Sequence, residues 1–283
     1  MSRAASRRTG SPARKAKGPK EKAHARKAPR KAPRKQRGAA EGSVDAKEIA
    51  RFSALAEEWW AAKGKFRPLH ALNPTRLRFI RDRLSAHFGR DADDLRPLEG
   101  LALLDVGCGG GLLAEPMARL GAAVVGIDAA EESIRVARIH AQESGLAIDY
   151  RVATAEALAD EKKRFDAILI MEVIEHVADP GGFLGACCTL LKAGGAMVIA
   201  TLSRTPQAFA LAIVGAEYVL GWLPRGSHDW RKFVRPGELD AMLRANGVTV
   251  AARTGVTYNP LTDRWTLSRD VSVNYMFFAV KGR

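Results

Sequence analysis

Residues 103–111 read "LLDVGCGGG", and the fold turns on how this stretch behaves. From Leu101 to Val106 the chain is a short apolar run of strand length, interrupted only by Asp105. The glycines at 107, 109, 110 and 111 then permit a tight turn and let backbone N–H groups approach a ligand closely. Downstream, "LLAEPMARLG" predicts a helix stopped by Gly121, "AAVVGID" (122–128) a second strand, and "AAEESIRVARIHAQESG" a helix ending at Gly145. "LAIDYRVA" and "FDAILIM" predict two further strands, followed by a helix through "FLGACCTLLKAGG" and the strand "AMVIATL". Strands separated by helices predict a mostly parallel sheet with helices on both faces. "GVTVAARTGV" and "VSVNYMFFAV" bring the strands to seven, and the short connections left for the last make it antiparallel. Upstream, residues 45–62 and 74–88 carry apolar side chains at helical spacing, among them Ile49, Phe52, Leu55 and Trp59.

A sheet of this kind binds its ligand at the carboxyl ends of its strands. The second strand ends at Asp128, 21 residues beyond Gly107, where a carboxylate can accept both hydroxyls of a ribose. "GGGLLA", read from Gly109, formally satisfies the dinucleotide pattern GxGxxA. Asp105, however, precedes Gly107 by two residues and would face a pyrophosphate with like charge. An amino-acid ammonium suits it better, which favours S-adenosylmethionine over a nicotinamide dinucleotide.

The formal charge of +14 is unevenly spread. Residues 1–40 hold fifteen Lys/Arg and one acid, Glu21, whereas the remainder holds thirty residues of each sign. The alkaline pI therefore belongs to the tail, and the body offers no overall charge for nucleic acid. The tail has no Leu, Ile, Val, Phe, Tyr or Trp and contains the repeat "KAPRKAPRK", so residues 1–42 are expected to be disordered. Such a tail either contacts a polyanion or is a solvated extension. It lacks the apolar core of a secretory signal and the apolar face of a mitochondrial presequence. Cys108, Cys187 and Cys188 have no metal-type spacing and are expected to be free thiols. No run reaches the length of a membrane-spanning helix.

From about residue 45 onward the chain resembles the ubiquinone-biosynthesis O-methyltransferases, a group of class I S-adenosylmethionine-dependent methyltransferases. The stretches that carry the resemblance are "EEWWAAKGKFRPLHALNPTRL" (57–77), "LLDVGCGGGLLAEPMARLGA" (103–122), "MEVIEHVADP" (171–180), "VGAEYVLGWLPRGSHDWRKFVRP" (214–236), "TYNPLTDRW" (257–265) and "DVSVNYM" (270–276). It implies a Rossmann-like class I methyltransferase fold over 43–283, with N-terminal helices in 43–95, a mostly parallel seven-stranded sheet and one antiparallel strand. It also implies S-adenosylmethionine as cofactor, with Arg76 on its methionine carboxylate, Gly107 and Gly109 against it, Asp128 on the ribose hydroxyls and Met171 beside the adenosyl group. Thr154 in "ATAEAL" stands where many relatives of the superfamily have an acid.

"MEVIEH" (171–176) follows a strand and carries Glu172, Glu175 and His176 at i, i+3 and i+4, which share a face if the segment is helical. Two carboxylates and an imidazole are a donor set for a divalent ion, or else they shape the floor of a site. The resemblance points to Mg²⁺ there, and to a polyprenylated ring with adjacent hydroxyls as substrate: 2-polyprenyl-6-hydroxyphenol and demethylubiquinol. A phenol with a pKa near 10 is mostly protonated at neutral pH. Either a metal ion lowers that pKa, or His176 acts as general base, with His70 and His228 as lesser candidates.

Between Pro206 and Pro224 runs "QAFALAIVGAEYVLGWL", flanked by Arg204 and Arg225, inside an apolar insert spanning 203–235. It is either an amphipathic element for an anionic membrane surface or a lid packed on the core. The resemblance places the protein in the cytoplasm at the inner membrane of a bacterium, or on the matrix side of the inner mitochondrial membrane, with other ubiquinone-pathway proteins as neighbours. Two competing classes remain at this stage: a nucleic-acid-associated methyltransferase that uses the tail, and a dinucleotide-dependent oxidoreductase.

Overall fold

The computed structural model describes residues 43–61, 64–211 and 229–283. The disordered tail expected over 1–42, the central part of the apolar insert and His228 lie outside the described residues.

Eight strands form one sheet: β1 (Ala102–Val106), β2 (Ala123–Asp128), β3 (Asp149–Val152), β4 (Phe165–Met171), β5 (Leu191–Leu202), β6 (Val248–Asn259), β7 (Arg264–Ser268) and β8 (Asn274–Lys281). Their order is β3-β2-β1-β4-β5-β8-β6-β7. The five strands from β3 to β5 are paired in parallel, and β8 runs antiparallel to both β5 and β6. Both faces are covered, which is why β1, β4 and β8 read as continuous apolar runs rather than alternating ones.

Alternation within those runs divides the core in two. Leu103, Leu169 and Val198 face one layer, where α2 (Arg67–His87), α3 (Ala114–Arg119) and α4 (Glu131–Glu143) supply Phe79, Ile80, Leu84, Met117 and Ile134. Leu104, Ile168, Ile170 and Ile199 face the other, where α5 (Ala155–Asp160), α6 (Pro180–Leu190) and α7 (Pro236–Ala245) supply Leu158, Phe183, Leu184, Leu239 and Leu243. Each fully buried side chain of this kind contributes about 1.5–3 kcal/mol. The three cysteines are free and buried, as expected.

Three departures from the sequence reading have physical causes. The sheet has an eighth strand, and β7 as well as β8 is antiparallel to its neighbours. β7 is largely exposed, so it carries no burial signal and exists by pairing with the extended end of β6. The second helix starts at Arg67 rather than 74 and runs through Pro74. An interior proline costs about 3 kcal/mol, here offset by burial of Leu72, Phe79, Ile80 and Leu84 along the same helix. The first helix, α1 (Ala46–Leu55), ends early in a 3₁₀ turn at Ala56–Glu58, which frees Trp59 and Trp60 to point elsewhere.

Candidate active site

The loop after β1 is folded onto the end of β2. Gly107 and Cys108 N–H groups donate to the Ile127 carbonyl at 2.8 and 3.0 Å, and Gly109 N–H donates to Asp128 Oδ2 at 3.0 Å. Gly107 and Gly109 have φ of +68° and +52°, a region that disfavours side chains. Added Cβ atoms would collide with Val173 at 2.5 Å and with the Trp59 ring at 2.3 Å. Trp59 donates from Nε1 to Ser133 Oγ at 3.2 Å, and Trp60 donates to the Gly110 carbonyl at 2.9 Å while stacking on His140. The two tryptophans thus pack against the loop. Their role escaped sequence reasoning, although "EEWW" was the available signal.

A cavity of about 600 Å³ opens above this loop and extends along the carboxyl ends of the strands. Arg76, Gly107, Asp128, Met171, Glu172 and His176 all line it. Gly109 is not on its wall but holds Asp128 in place. Asp128 accepts from Ala130 N–H at 2.8 Å with its other oxygen. Burial pushes the Asp128 carboxyl up, against the pull of these N–H groups. Asp105 is buried, its Oδ2 has no hydrogen-bond partner, and burial together with the nearby Asp128 pushes its pKa up to about 7. A cavity-lining acid in that state is suited to receive a cation, and the ammonium of an amino-acid moiety fits it. Thr154 caps α5, accepting from Ala157 N–H, while Glu156 in the first turn lines the cavity.

The segment at 171–176 departs from the helical turn on which a shared face for Glu172, Glu175 and His176 depended. It forms a 3₁₀ turn over Ile174–His176, and Glu172 sits at φ +57°, so the three side chains do not share one helical face. Glu172 turns to Arg76, accepting from Nη2 at 2.5 Å in a pair shielded from solvent. Glu175 lies beneath the cavity wall, accepts from the Thr201 hydroxyl at 2.8 Å, and keeps one oxygen without a donor. Burial, and then the adjacent Glu172, push its carboxyl well above the usual range. His176 Nδ1 faces Glu48 Oε2 at 3.2 Å. Among the described residues no three His, Cys, Asp or Glu side chains gather as ligands for an ion. His70, the other described candidate base, is bonded through Nε2 to the Trp59 carbonyl at 2.8 Å.

Glu48 belongs to α1, which sequence reasoning did not connect with the site. The chain before α1 crosses the strand ends: Val44 bridges Val177, Ala178 N–H donates to the Ser43 carbonyl, and Ser43 N–H donates to Glu156 at 3.1 Å. Lys232 reaches Asp45 at 2.9 Å from the opposite rim. Burial opposes ionisation of Glu48, but His176, Arg51 and Lys232 outweigh it and hold the carboxyl below its usual range.

Residues 104–199 match a family described as a methyltransferase domain. The ubiquinone biosynthesis O-methyltransferase of Parvibaculum lavamentivorans is 62% identical over 245 residues, covering 87% of this chain and 97% of the relative. The enzyme of the same name from Chelativorans sp. is 61% identical over 239 residues, covering 84% and 94%. This chain belongs to the ubiquinone biosynthesis O-methyltransferase family. Among solved structures, a magnesium protoporphyrin IX methyltransferase from Synechocystis PCC 6803 with bound SAH superposes with a TM-score of 0.55 at 19% identity, covering 81% of this chain and 99% of that one. That likeness concerns the class I methyltransferase fold, which the O-methyltransferase family shares.

If Asp105 receives the cofactor's ammonium, binding is expected to be sensitive to pH. A bound ammonium favours the ionised carboxylate, so affinity should be low where free Asp105 is protonated and rise as pH approaches about 7. Calorimetric titration with S-adenosylmethionine is expected to show affinity rising up to roughly ten-fold per pH unit below that point and levelling above it. Asp105→Asn should flatten the profile and weaken binding; a flat wild-type profile would exclude this role.

Proposed function

We propose that this protein transfers the methyl group of S-adenosylmethionine to a ring hydroxyl of a polyprenylated catechol or quinol in ubiquinone biosynthesis, with 2-polyprenyl-6-hydroxyphenol and demethylubiquinol as acceptors. The observation that carries this reading is one continuous cavity joining the Gly107–Asp128 end to Glu172 and His176, with Phe52, Leu69, Leu202 and Trp265 among its apolar walls. In the cofactor half, Asp105 takes the ammonium, Arg76 the carboxylate, Asp128 the ribose hydroxyls and Met171 a face of the adenosyl group. Arg76 has five N–H donors, so its bond to Glu172 leaves it able to serve a carboxylate as well.

His176 is the general base. With Nδ1–H held by Glu48, the second ring nitrogen is the basic one. It takes the hydroxyl proton as the phenolate oxygen attacks the sulfonium methyl, and the S–CH₃ bond pair leaves with sulfur as a neutral thioether. The positive charge of the cofactor and the developing phenolate cancel in the transition state, which an enclosed, water-poor cavity favours. Neither competing class has comparable support, because the close relatives carry one name and the matched residues lie in the charge-balanced body. The direct test is transfer of labelled methyl from S-adenosylmethionine to a short-prenyl catechol. Turnover is expected, with His176→Ala lowering kcat about 10²- to 10⁴-fold; no turnover of any catechol would sink the reading.

Mg²⁺ is the finer part of that reading, and the side chains as arranged do not fit it without change. Glu172 would have to yield its place on Arg76 and His176 its contact with Glu48, and burial disfavours the ionised form of Glu175, so no step above runs through an ion. What favours a cation is the Glu175 oxygen without a donor beside a second carboxylate. The ion reading predicts that millimolar Mg²⁺ raises the melting temperature of the wild-type protein but not of Glu175→Gln. No rise in either would remove the ion and leave the methyl transfer intact.

Docking on an anionic membrane accounts for how so apolar a substrate arrives. The support is positional: Leu211 and Phe209 at the start of the insert are 57% and 46% exposed, and Leu261 in the β6–β7 turn is 94% exposed. Leu211, Tyr258 and Pro260 line the same cavity. No described helix is long and apolar enough to cross a membrane, so the contact would be peripheral. The basic tail as a polyanion contact and pathway proteins as partners belong to this reading too, the tail lying outside the described residues. In flotation with phosphatidylglycerol-containing liposomes, Leu211→Ser/Leu261→Ser is expected to reduce the bound fraction several-fold; unchanged flotation would count against this rim.

A further inference from the structure

Three cavity-lining residues carry a buried polar atom without a hydrogen-bond partner: Asp105, Glu156 and Asn274. Two are carboxylates, and Asn274 is the neutral one. It is 9% exposed, and its Oδ1 finds no protein donor. A buried amide oxygen is destabilising unless something bonds it. A purely structural asparagine at this position would be expected to have a partner.

Its place in the sheet says which ligand that partner belongs to. Asn274 is the first residue of β8, paired with Leu202 of β5 and Val256 of β6. Because β8 runs antiparallel to β5, its first residue lies at the edge where β4 and β5 end. The cofactor loops follow β1, β2 and β3, and Glu172 and His176 follow β4. Asn274 therefore stands on the far side of the base from the cofactor, two strands beyond β4, or roughly 10 Å at the usual strand spacing. That interval suits one aromatic ring. Leu202, Val256 and Trp265 share this part of the wall, so the amide is a polar group in apolar surroundings.

Resting on the function proposed above, we infer that Asn274 determines specificity by reading the acceptor hydroxyl adjacent to the one being methylated. An amide suits that task because it both donates and accepts. It can take the proton of a neighbouring hydroxyl while leaving the ring neutral. A carboxylate there would add negative charge close to the Glu172–Glu175 pair and oppose phenolate formation. Held by β-pairing on both sides, the residue loses little freedom on binding. The second hydroxyl thereby fixes the rotation of the ring, so the first is presented to His176 and the methyl group. A ring with a single hydroxyl can still bind but is presented in more than one rotation.

The experiment compares full-length wild type with Asn274→Leu, a near-isosteric apolar change, on a short-prenyl catechol and on the matching monophenol. Kcat/KM for the catechol is expected to fall roughly 10- to 100-fold in the variant. The catechol-over-monophenol ratio should collapse towards one, while the Kd for S-adenosylmethionine stays within about two-fold. Asn274→Ala is made in parallel, and melting temperatures identify any variant that does not fold. An unchanged catechol-over-monophenol ratio in a folded variant overturns the assignment alone. Loss of S-adenosylmethionine binding in step with activity also overturns it, by placing Asn274 with the cofactor. Wild-type protein that methylates no catechol overturns both this assignment and the function it rests on.

Discussion

Burial of the central strands on both faces is the constraint from which the rest of the molecule follows. β1, β4, β5 and β8 leave almost no room for polar side chains along their length. Polar groups are therefore pushed to the strand ends, where backbone and side chains must find partners or a ligand. Asp105, Asp128, Glu172, Glu175, Thr201 and Asn274 all sit at or beside such an end. The site is thus where the sheet runs out.

Electrostatics at that edge is balanced by few groups. Asp105 and Asp128 are both pushed up by burial and lie close enough for one to act on the other. Burial and Glu172 push the Glu175 carboxyl well above its usual range, while Glu172 itself pairs with the buried Arg76. Breaking a pair of that kind leaves an uncompensated buried charge, typically a loss of 3–5 kcal/mol. Glu48 of α1 meets His176, and Asp45 just before α1 pairs with Lys232, which ties the N-terminal segment to the elements beyond the strand ends. A cationic cofactor enters this field as the missing positive charge.

Much of this was legible in the chain. The strand–glycine–helix punctuation at 101–121 and the acid at 128 placed the ligand end of the sheet, because turn chemistry and apolar runs are local signals. Residues 171–176 were legible only in part. That they lie at the mouth of the site follows from their place after β4, but their orientation does not. The 3₁₀ turn and the left-handed backbone at Glu172 turn each side chain to a partner distant in sequence: Arg76, Thr201 and Glu48. β7 escaped because an exposed edge strand has no periodicity to betray it, and the start of α2 because the first turns, with prolines at 68 and 74, carry a weaker apolar spacing than the residues that follow.

The sequence by itself determined the class of fold, the ligand-binding end of the sheet and, through extended resemblance, the chemistry. These depend on local propensity, on apolar patterning and on short motifs, all of which survive in one dimension. The tertiary structure alone decided which polar groups meet. Glu48 comes to His176 across 128 positions, Arg76 to Glu172 across 96, and Asn274 arrives beside β5 only because the last strand turns back. Pairings of that range depend on how the helices pack on the sheet and on strand direction, and neither is written in any short stretch of residues.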